Sequence, residues 1–92
     1  MTFVEVISRN VFYHLRSGKV IECTEPFSSV CDNLLKYGCF IKPHRSYLVN
    51  MQYVDTIENH QVTLQTLSSV PVAQGKAKEI KQQYLNYQMK ED

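Results

Sequence analysis

Two arginines stand in this 92-residue chain where apolar stretches are interrupted, at positions that a sheet would present as loop tips. Arg9 is followed by Asn10, and Arg45 by Ser46. A guanidinium group can make two parallel hydrogen bonds to guanine or grip a phosphate, and an asparagine or glutamine amide pairs in a similar bidentate way with adenine. This chemistry favours a nucleic acid as the partner.

Three predicted loops carry side chains of this kind: residues 8–10, 42–46 and 73–76. The candidate DNA-binding residues in and beside them are Arg9, Asn10, Lys42, His44, Arg45, Ser46, Gln74, Lys76 and Lys78. An ordinary protein surface offers a second explanation of the same residues. The arginines would then be solvated turn residues, His44 would brace its loop by a hydrogen bond, and the lysines would form the exposed face of a terminal helix.

Positive charge is distributed unevenly along the chain, although the net formal charge is only +1. Residues 33–54 contain Lys36, Lys42 and Arg45 and no acid, whereas residues 55–73 contain Asp55 and Glu58 and no base. So small a net charge is weak support for nucleic-acid binding, because such domains are commonly much more basic. The segregation of the charge is nevertheless compatible with one basic face.

Short apolar runs between turn residues predict the sheet that must hold the first loop. Residues 3–7, 11–15 and 20–23 are expected to form a meander of three strands. Asn10 is the expected corner of the first hairpin because asparagine tolerates left-handed backbone, and Gly18 supplies the positive φ of the second turn. Arg9 would then lie at a loop tip.

One short helix, residues 26–36, is predicted to cover the open side of this sheet. Thr24 or Glu25 is the expected N-cap, Pro26 suits the first turn, and Gly38 stops the helix. Its apolar residues recur at intervals of three and four, which gives the helix one apolar face. They are Phe27, Val30, Cys31, Leu34 and Leu35.

The second loop is predicted to be a rigid basic turn, Lys42-Pro43-His44-Arg45, ahead of a strand at residues 47–50. Pro43 fixes its own φ and pushes the residue before it toward an extended conformation. Further strands are expected at residues 53–57, 61–65 and 70–72, the last at a sheet edge or strand end because it contains Pro71. Helical spacing from residue 76 to about residue 89 predicts a C-terminal helix.

Enzymatic, metal-binding and membrane functions find no support in the sequence. There is no glycine-rich phosphate loop, no G-x-S-x-G and no H-E-x-x-H, so no catalytic residues are expected. Cys23, Cys31 and Cys39 lack zinc-ligand spacing, which predicts no metal and no cofactor, and an odd number of cysteines suits a reducing cytoplasm. No apolar run approaches the roughly 18 residues that a membrane helix needs.

One string in the middle of the chain is distinctive: His44-Arg45-Ser46-Tyr47-Leu48-Val49-Asn50. Phe40-Ile41 precedes it, and Tyr53-Val54, Ile57 and Val70-Pro71-Val72 follow it. In this combination the chain closely resembles the LytTR family of bacterial DNA-binding domains, from Phe3 to about Tyr84. The resemblance implies a mainly β fold of elongated antiparallel sheets with one short covering helix and a C-terminal helix.

The resemblance also sharpens the choice of residues in the three loops. In the family the first loop supplies a base-reading side chain, a place that Arg9 and Asn10 occupy here. The second loop supplies a polar or basic side chain, which falls on Arg45, with Ser46 nearby for phosphate. The third loop usually reads Pro-Val-Ser-Arg, whereas this chain has Pro71-Val72-Ala73-Gln74-Gly75. That departure leaves adenine contact by Gln74, or phosphate contact by Lys76 and Lys78.

The resemblance implies sequence-specific binding of duplex DNA for transcription regulation, with loops contacting successive major grooves. Members of the family are mostly output halves of response regulators in two-component systems, so a receiver domain in a longer chain is an expected partner, and a homodimer is another. We expect residues 1–92 to form a single cytoplasmic domain that starts inside the usual pattern, either as a fragment of a larger regulator or as an abbreviated member that lacks the family's first strand or two. The alternative is a protein-interaction or self-association module whose DNA surface has weakened at Gln74 and Gly75.

Overall fold

The computed structural model describes residues 1–90, which form eight short strands, two α-helices and one 3-10 turn. The strands are β1 (Phe3–Ile7), β2 (Asn10–His14), β3 (Val20–Cys23), β4 (Phe40–His44), β5 (Tyr47–Asn50), β6 (Val54–Ile57), β7 (Gln61–Leu64) and β8 (Ser69–Pro71). The helices are α1 (Phe27–Leu34) and α2 (Ala77–Lys90), and the 3-10 turn is Met51–Tyr53. The mainly β fold class predicted from the sequence is confirmed.

Five strands form the larger sheet, in the order β3-β2-β1-β5-β4, and all neighbours are antiparallel. The predicted meander of β1, β2 and β3 is therefore confirmed. β1 lies in the middle of the sheet because it pairs with β2 on one side and with β5 on the other. The three remaining strands form a smaller antiparallel sheet in the order β6-β7-β8.

Side-chain alternation along β1 gives the larger sheet two different faces, because successive residues of a strand point to opposite sides. Val4 belongs to a core that includes Val11, Leu48 and, from α1, Val30 and Cys31. The opposite face carries Phe3 and forms a second core with the smaller sheet and α2. The buried members of that core are Phe3, Ile41, Val49, Met51, Val54, Val62, Leu64, Val70, Val72 and Ile80. Two cores on opposite faces hold the larger sheet rigid.

The turns differ from the sequence-based expectation in two places. The corner between β1 and β2 is made by Ser8 (φ 49°) and Arg9 (φ 75°), and Asn10 is already the first residue of β2, opposite Ile7. Positive φ at both central positions is the type I′ geometry, which matches the twist of paired strands, so the corner falls one residue earlier than predicted. Gly18 has a φ of 93°, as expected for the second turn.

α1 is shorter than predicted and starts differently. It covers Phe27–Leu34, its N-cap is Pro26, and no side chain caps it, so the expected cap at Thr24 or Glu25 is wrong. Glu25 instead accepts a hydrogen bond from the hydroxyl of Tyr13 on β2. The carboxylate is thus used to tie the start of the helix to the sheet.

The remaining elements agree with the pattern of the sequence. Pro71 lies in β8, an edge strand of the smaller sheet, and β7 alternates between exposed and buried residues. Asn50 caps the 3-10 turn by accepting a hydrogen bond from the backbone N–H of Gln52 at 3.0 Å. Within residues 1–90, neither helix is both long and apolar enough to cross a bilayer.

Candidate nucleic-acid interface

The first predicted loop is a two-residue turn, Ser8–Arg9, between β1 and β2. Both residues are exposed. Among the described residues Arg9 has no recorded ion pair or side-chain hydrogen bond, so its guanidinium is available to a ligand. Asn10 behaves differently, because its amide donates to the Glu22 carboxylate of β3 at 2.6 Å. That amide is therefore already engaged within the sheet.

The second predicted loop is also a two-residue turn, Arg45–Ser46, between β4 and β5. The rigid basic turn expected at residues 42–45 is wrong in its bounds, because Lys42, Pro43 and His44 are the last residues of β4. Pro43 is tolerated there since β4 is an edge strand and its register with β5 shifts between Ile41 and His44. Arg45 is exposed, and its guanidinium makes no ion pair or hydrogen bond within residues 1–90.

The two arginine turns lie side by side at one end of the larger sheet. β1 and β5 are neighbours, and Val6 donates its backbone N–H to the carbonyl of Ser46 at 3.0 Å. The hairpins β1–β2 and β5–β4 are two strand positions apart, which at about 4.8 Å per strand places their turns about 10 Å apart. The sheet therefore brings Arg9 and Arg45 together although 36 residues of sequence separate them.

The third predicted loop is attached to the same end of the sheet. Ala73 donates its backbone N–H to the carbonyl of Pro43 at 2.8 Å, two residues before Arg45. Gly75 then turns the chain with a φ of 82°, and Lys76 donates its backbone N–H to the carbonyl of Ala73 at 3.0 Å. Gln74 is exposed and Lys76 is half-buried. All three loops thus meet along one end of the molecule, with the Arg45 turn in the middle.

The two remaining lysines of the predicted set occupy different environments. Lys78 is exposed in the first turn of α2, one helical turn from the third loop. Lys42 is half-buried, and its Nζ lies 5.6 Å from the ring centroid of Phe27 in α1, a cation–π distance. Burial raises the pKa of the Cys31 thiol, and the Lys42 ammonium nearby opposes that rise. The contacts that Lys42 makes with Phe27 and Cys31 therefore lie on the α1 side of the sheet.

His44 supports the Arg45 turn from within. Its Nδ1 accepts a hydrogen bond from the backbone N–H of Ser46 at 3.1 Å, which requires the neutral imidazole with its proton on Nε2. The imidazole also meets the ring of Tyr47 edge-on, with 5.5 Å between ring centroids. Burial, and then the Glu5 carboxylate, raise the pKa of Tyr47, which keeps its phenol neutral behind the turn. The bracing role considered for His44 is confirmed.

A pair of ionisable residues farther from the turns was not singled out from the sequence. Glu5 on β1 and His14 on β2 contact each other at 2.5 Å, and His14 stacks on Phe3 with ring centroids 4.0 Å apart. The sequence does contain a signal for this pair, because an acid and a histidine that interrupt two apolar strands can face each other across a hairpin. Both side chains are partly covered, at 16% and 26% exposure, so they belong to the interior side of the sheet.

Groups of three or more histidine, cysteine or acidic side chains placed to hold a metal ion are absent from residues 1–90. Cys23, Cys31 and Cys39 are free thiols. The chemistry that the described loops offer is therefore that of guanidinium, ammonium, amide and backbone groups.

Comparison with known proteins identifies the family of the chain and matches its fold. The family model of the LytTr DNA-binding domain matches residues 1–85. A solved LytTr DNA-binding domain from Bacillus cereus, from a protein described as a methyl-accepting/DNA response regulator, superposes with a TM-score of 0.75 at 18% sequence identity, covering 89% of this chain and 78% of that one. No curated protein sequence matches the chain. On the family match, which spans most of its length, the chain belongs to the LytTR family of DNA-binding domains.

Proposed function

We propose that residues 1–92 act as one transcription-regulating domain that binds duplex DNA at selected sequences through the three loops at one end of the larger sheet. The observation that carries the proposal is the placement of Arg9 and Arg45 on adjacent two-residue turns, both exposed and both without a protein partner in the described part of the chain. Arginine left unpaired at the rim of a rigid sheet is well suited to phosphate or guanine.

The spacing of the loops suggests how they divide the duplex between them. The turns of Arg9 and Arg45 are about 10 Å apart, far less than the roughly 34 Å between successive major grooves on one side of B-DNA. These two turns therefore cannot fill two major grooves alone. The first and third loops are the outer pair, about 17 Å apart by the same count. We assign them, with the reach of their side chains, to successive major grooves of a duplex that bends toward the protein, and the Arg45 turn to the backbone between them.

Each residue then has a chemical role in the proposal. Arg9 reads a base edge, and Arg45 with Ser46 grips the backbone. Gln74 pairs with adenine, and Lys76 and Lys78 contact phosphates. His44 holds the Arg45 turn in shape, whereas Asn10 and Lys42 reach DNA only if they leave Glu22 and Phe27.

We also propose the setting in which such a domain works: the cytoplasm of a bacterium, as the output part of a response regulator. The support is the family itself, together with the fold shared with a solved domain that belongs to a protein described as a response regulator. In that arrangement a receiver domain elsewhere in a longer chain would control when the three loops reach DNA.

The proposal is tested by selecting bound sequences from random duplexes with the purified chain and then measuring affinity for the selected site at two salt concentrations. We expect enrichment of a short motif and a log–log salt slope of about −3, since the three cations assigned to phosphate, Arg45, Lys76 and Lys78, each contribute about −0.9. Arg9→Ala and Arg45→Ala should weaken binding. Arg16→Ala is the matched control, because Arg16 is exposed in the β2–β3 turn at the opposite end of the sheet.

Two results would overturn the proposal. Failure to retain any duplex at low salt would favour the alternative of an interaction module with a weakened DNA surface. Equal loss of affinity in Arg16→Ala and Arg45→Ala would show that charge anywhere on the chain, and not this end of the sheet, supports binding.

A further inference from the structure

The outer edge of β3 stands apart from the other sheet edges in the described part of the chain. β4 contains Pro43 and receives the backbone N–H of Ala73, and β8 contains Pro71. β6 is irregular between Val54 and Thr56 and packs against α2. β3 has no proline, and its residues Val20–Glu22 are all exposed. Proteins usually blunt a sheet edge by such devices, and β3, a strand of four residues with Glu22 as its one charge, has no proline, irregularity or covering segment to stop a second strand from pairing with it.

The hydrogen-bonding pattern of the β2–β3 hairpin shows which backbone groups of β3 face outward. Leu15 donates its backbone N–H to the carbonyl of Lys19 at 2.8 Å, so these residues form a hydrogen-bonded pair. Such pairs alternate with non-hydrogen-bonded ones, which makes Tyr13 and Ile21 the next hydrogen-bonded pair. The backbone groups of Val20 and Glu22 therefore point away from β2, toward the open side.

We propose that the strand that completes this edge is β3 of a second copy of the chain, antiparallel and centred on Ile21. In this register Val20 of each copy forms a hydrogen-bonded pair with Glu22 of the other, and the two Ile21 side chains meet at the two-fold axis. Shifting the centre to Glu22 would oppose two carboxylates, and shifting it to Val20 would run the pairing into the turn at Gly18. The centred register alone uses the whole strand.

The side chains along β3 complement one another when two copies run antiparallel. Val20 and Ile21 are 46% and 42% exposed, so both side chains are open to contact with a second copy of the strand. In this register Lys19 lies opposite Cys23 of the other copy, so the basic turn that holds Arg16 and Lys19 comes nearest to Glu25 of that copy. Parallel pairing would bring the basic turns of the two copies together. Charge and the hydrogen-bonding pattern therefore both favour antiparallel pairing.

The pairing is independent of the proposed DNA contacts. The Cys23 end of β3 lies beside Val11, toward the turn that holds Arg9. Two antiparallel copies of β3 therefore direct their arginine ends to opposite sides of the dimer. Such a dimer presents two DNA-binding ends that cannot share neighbouring half-sites of one straight duplex.

A symmetric disulfide tests the register directly. Non-hydrogen-bonded partners have Cα atoms about 4.5 Å apart, within the range that a disulfide spans. Ile21→Cys combined with Cys23→Ser should give a covalent dimer under mild oxidation, whereas Val20→Cys with Cys23→Ser should not, because the two copies of residue 20 lie roughly 8 to 9 Å apart. The unchanged chain should not crosslink through Cys23, since its two copies are about 14 Å apart in this register.

The non-covalent dimer is tested by sedimentation of the full chain over a wide concentration range. Concentration-dependent dimerisation is expected, and Ile21→Glu should weaken it at least about tenfold because it opposes two carboxylates at the axis. Leu85→Glu is the control, since Leu85 is similarly exposed, at 48%, on α2. A strictly monomeric chain, equal effects of the two substitutions, or equal crosslinking at residues 20 and 21 would overturn the proposal. Circular dichroism establishes that each variant is folded.

Discussion

Val6 and Ser46 are joined by a backbone hydrogen bond of 3.0 Å that connects the ends of β1 and β5. Because this bond lies next to both two-residue turns, it fixes the position of Arg45 relative to Arg9 without any contact between their side chains. The relative placement of the two turns is thus set by main-chain pairing between β1 and β5. The arginines themselves can be changed with little effect on the fold.

Arg45→Ala should weaken binding to a selected duplex by about 1 to 3 kcal/mol if the guanidinium reads a base, with a smaller loss on random sequences. If it grips the backbone, as its middle position suggests, the loss should be similar on all sequences. Fluorescence anisotropy with the selected and a scrambled duplex separates the two results. Arg45→Lys sharpens the comparison, because lysine keeps the charge and loses the bidentate geometry. Unchanged affinity of Arg45→Ala for both duplexes would remove this turn from the interface.

The double substitution Arg9→Ala with Arg45→Ala should reduce the magnitude of the log–log salt slope by about 1, since Arg45 is the phosphate contact of the pair and each lost phosphate contact contributes roughly 0.9. The slope is measured from affinities at several salt concentrations. If Arg9 also contacts phosphate, the reduction should be about twice as large. An unaltered slope together with weaker binding would show that neither arginine neutralises phosphate.

Much of the fold follows from local sequence pattern, and the departures have identifiable causes. The alternation of β7, the proline at the edge in β8 and the glycine in the β2–β3 turn were all predicted, since each depends on neighbouring residues only. The corner at Ser8 and Arg9 was misplaced by one residue. Serine and arginine do not by themselves predict a positive φ, because here it results from the twist of the paired strands.

The site was harder to predict than the fold because its side chains have distant partners. Asn10 meets Glu22 across a hairpin, and Lys42 meets Phe27 on a helix that covers the sheet. The local sequence shows that a cation or an amide lies near a turn. It does not show which distant side chain that group already contacts. Arg9 and Arg45 kept their predicted exposure because two-residue turns leave little protein around their middle residues.

Lys42→Ala should lower the stability of the fold by roughly 0.5 to 1 kcal/mol, the usual contribution of a cation over an aromatic ring at a partly exposed site. Its effect on DNA affinity should be smaller than that of Arg45→Ala, because its recorded contact is with Phe27. Urea unfolding and duplex binding are measured on the same preparation. A large loss of affinity at unchanged stability would instead place Lys42 on DNA.

Leu48→Ala should destabilise the chain by about 2 to 5 kcal/mol, because Leu48 is fully buried between β1 and α1 and its truncation leaves a cavity. Leu85→Ala is the matched control, and its effect should stay within about 0.5 kcal/mol since half of that side chain is exposed. The free energy of unfolding is obtained from urea titrations of all three proteins. Equal effects would mean that the core on the α1 side contributes little to stability.

Tyr13 should make the stability of the chain fall at alkaline pH. Burial, and then the hydrogen bond that its hydroxyl donates to Glu25, raise the pKa of Tyr13 above its ordinary value of 10.0. Below about pH 10 the phenol is neutral in both states and its contribution is complete, whereas above it the unfolded chain releases the proton that the folded chain retains. Stability therefore decreases as the pH rises from 10 toward the folded pKa. Tyr47 acts in the same direction in every variant that retains it. The urea midpoint of Tyr13→Phe should fall less between pH 9 and pH 11 than that of the unchanged chain, and an identical fall in both would show that Tyr13 is not coupled to folding.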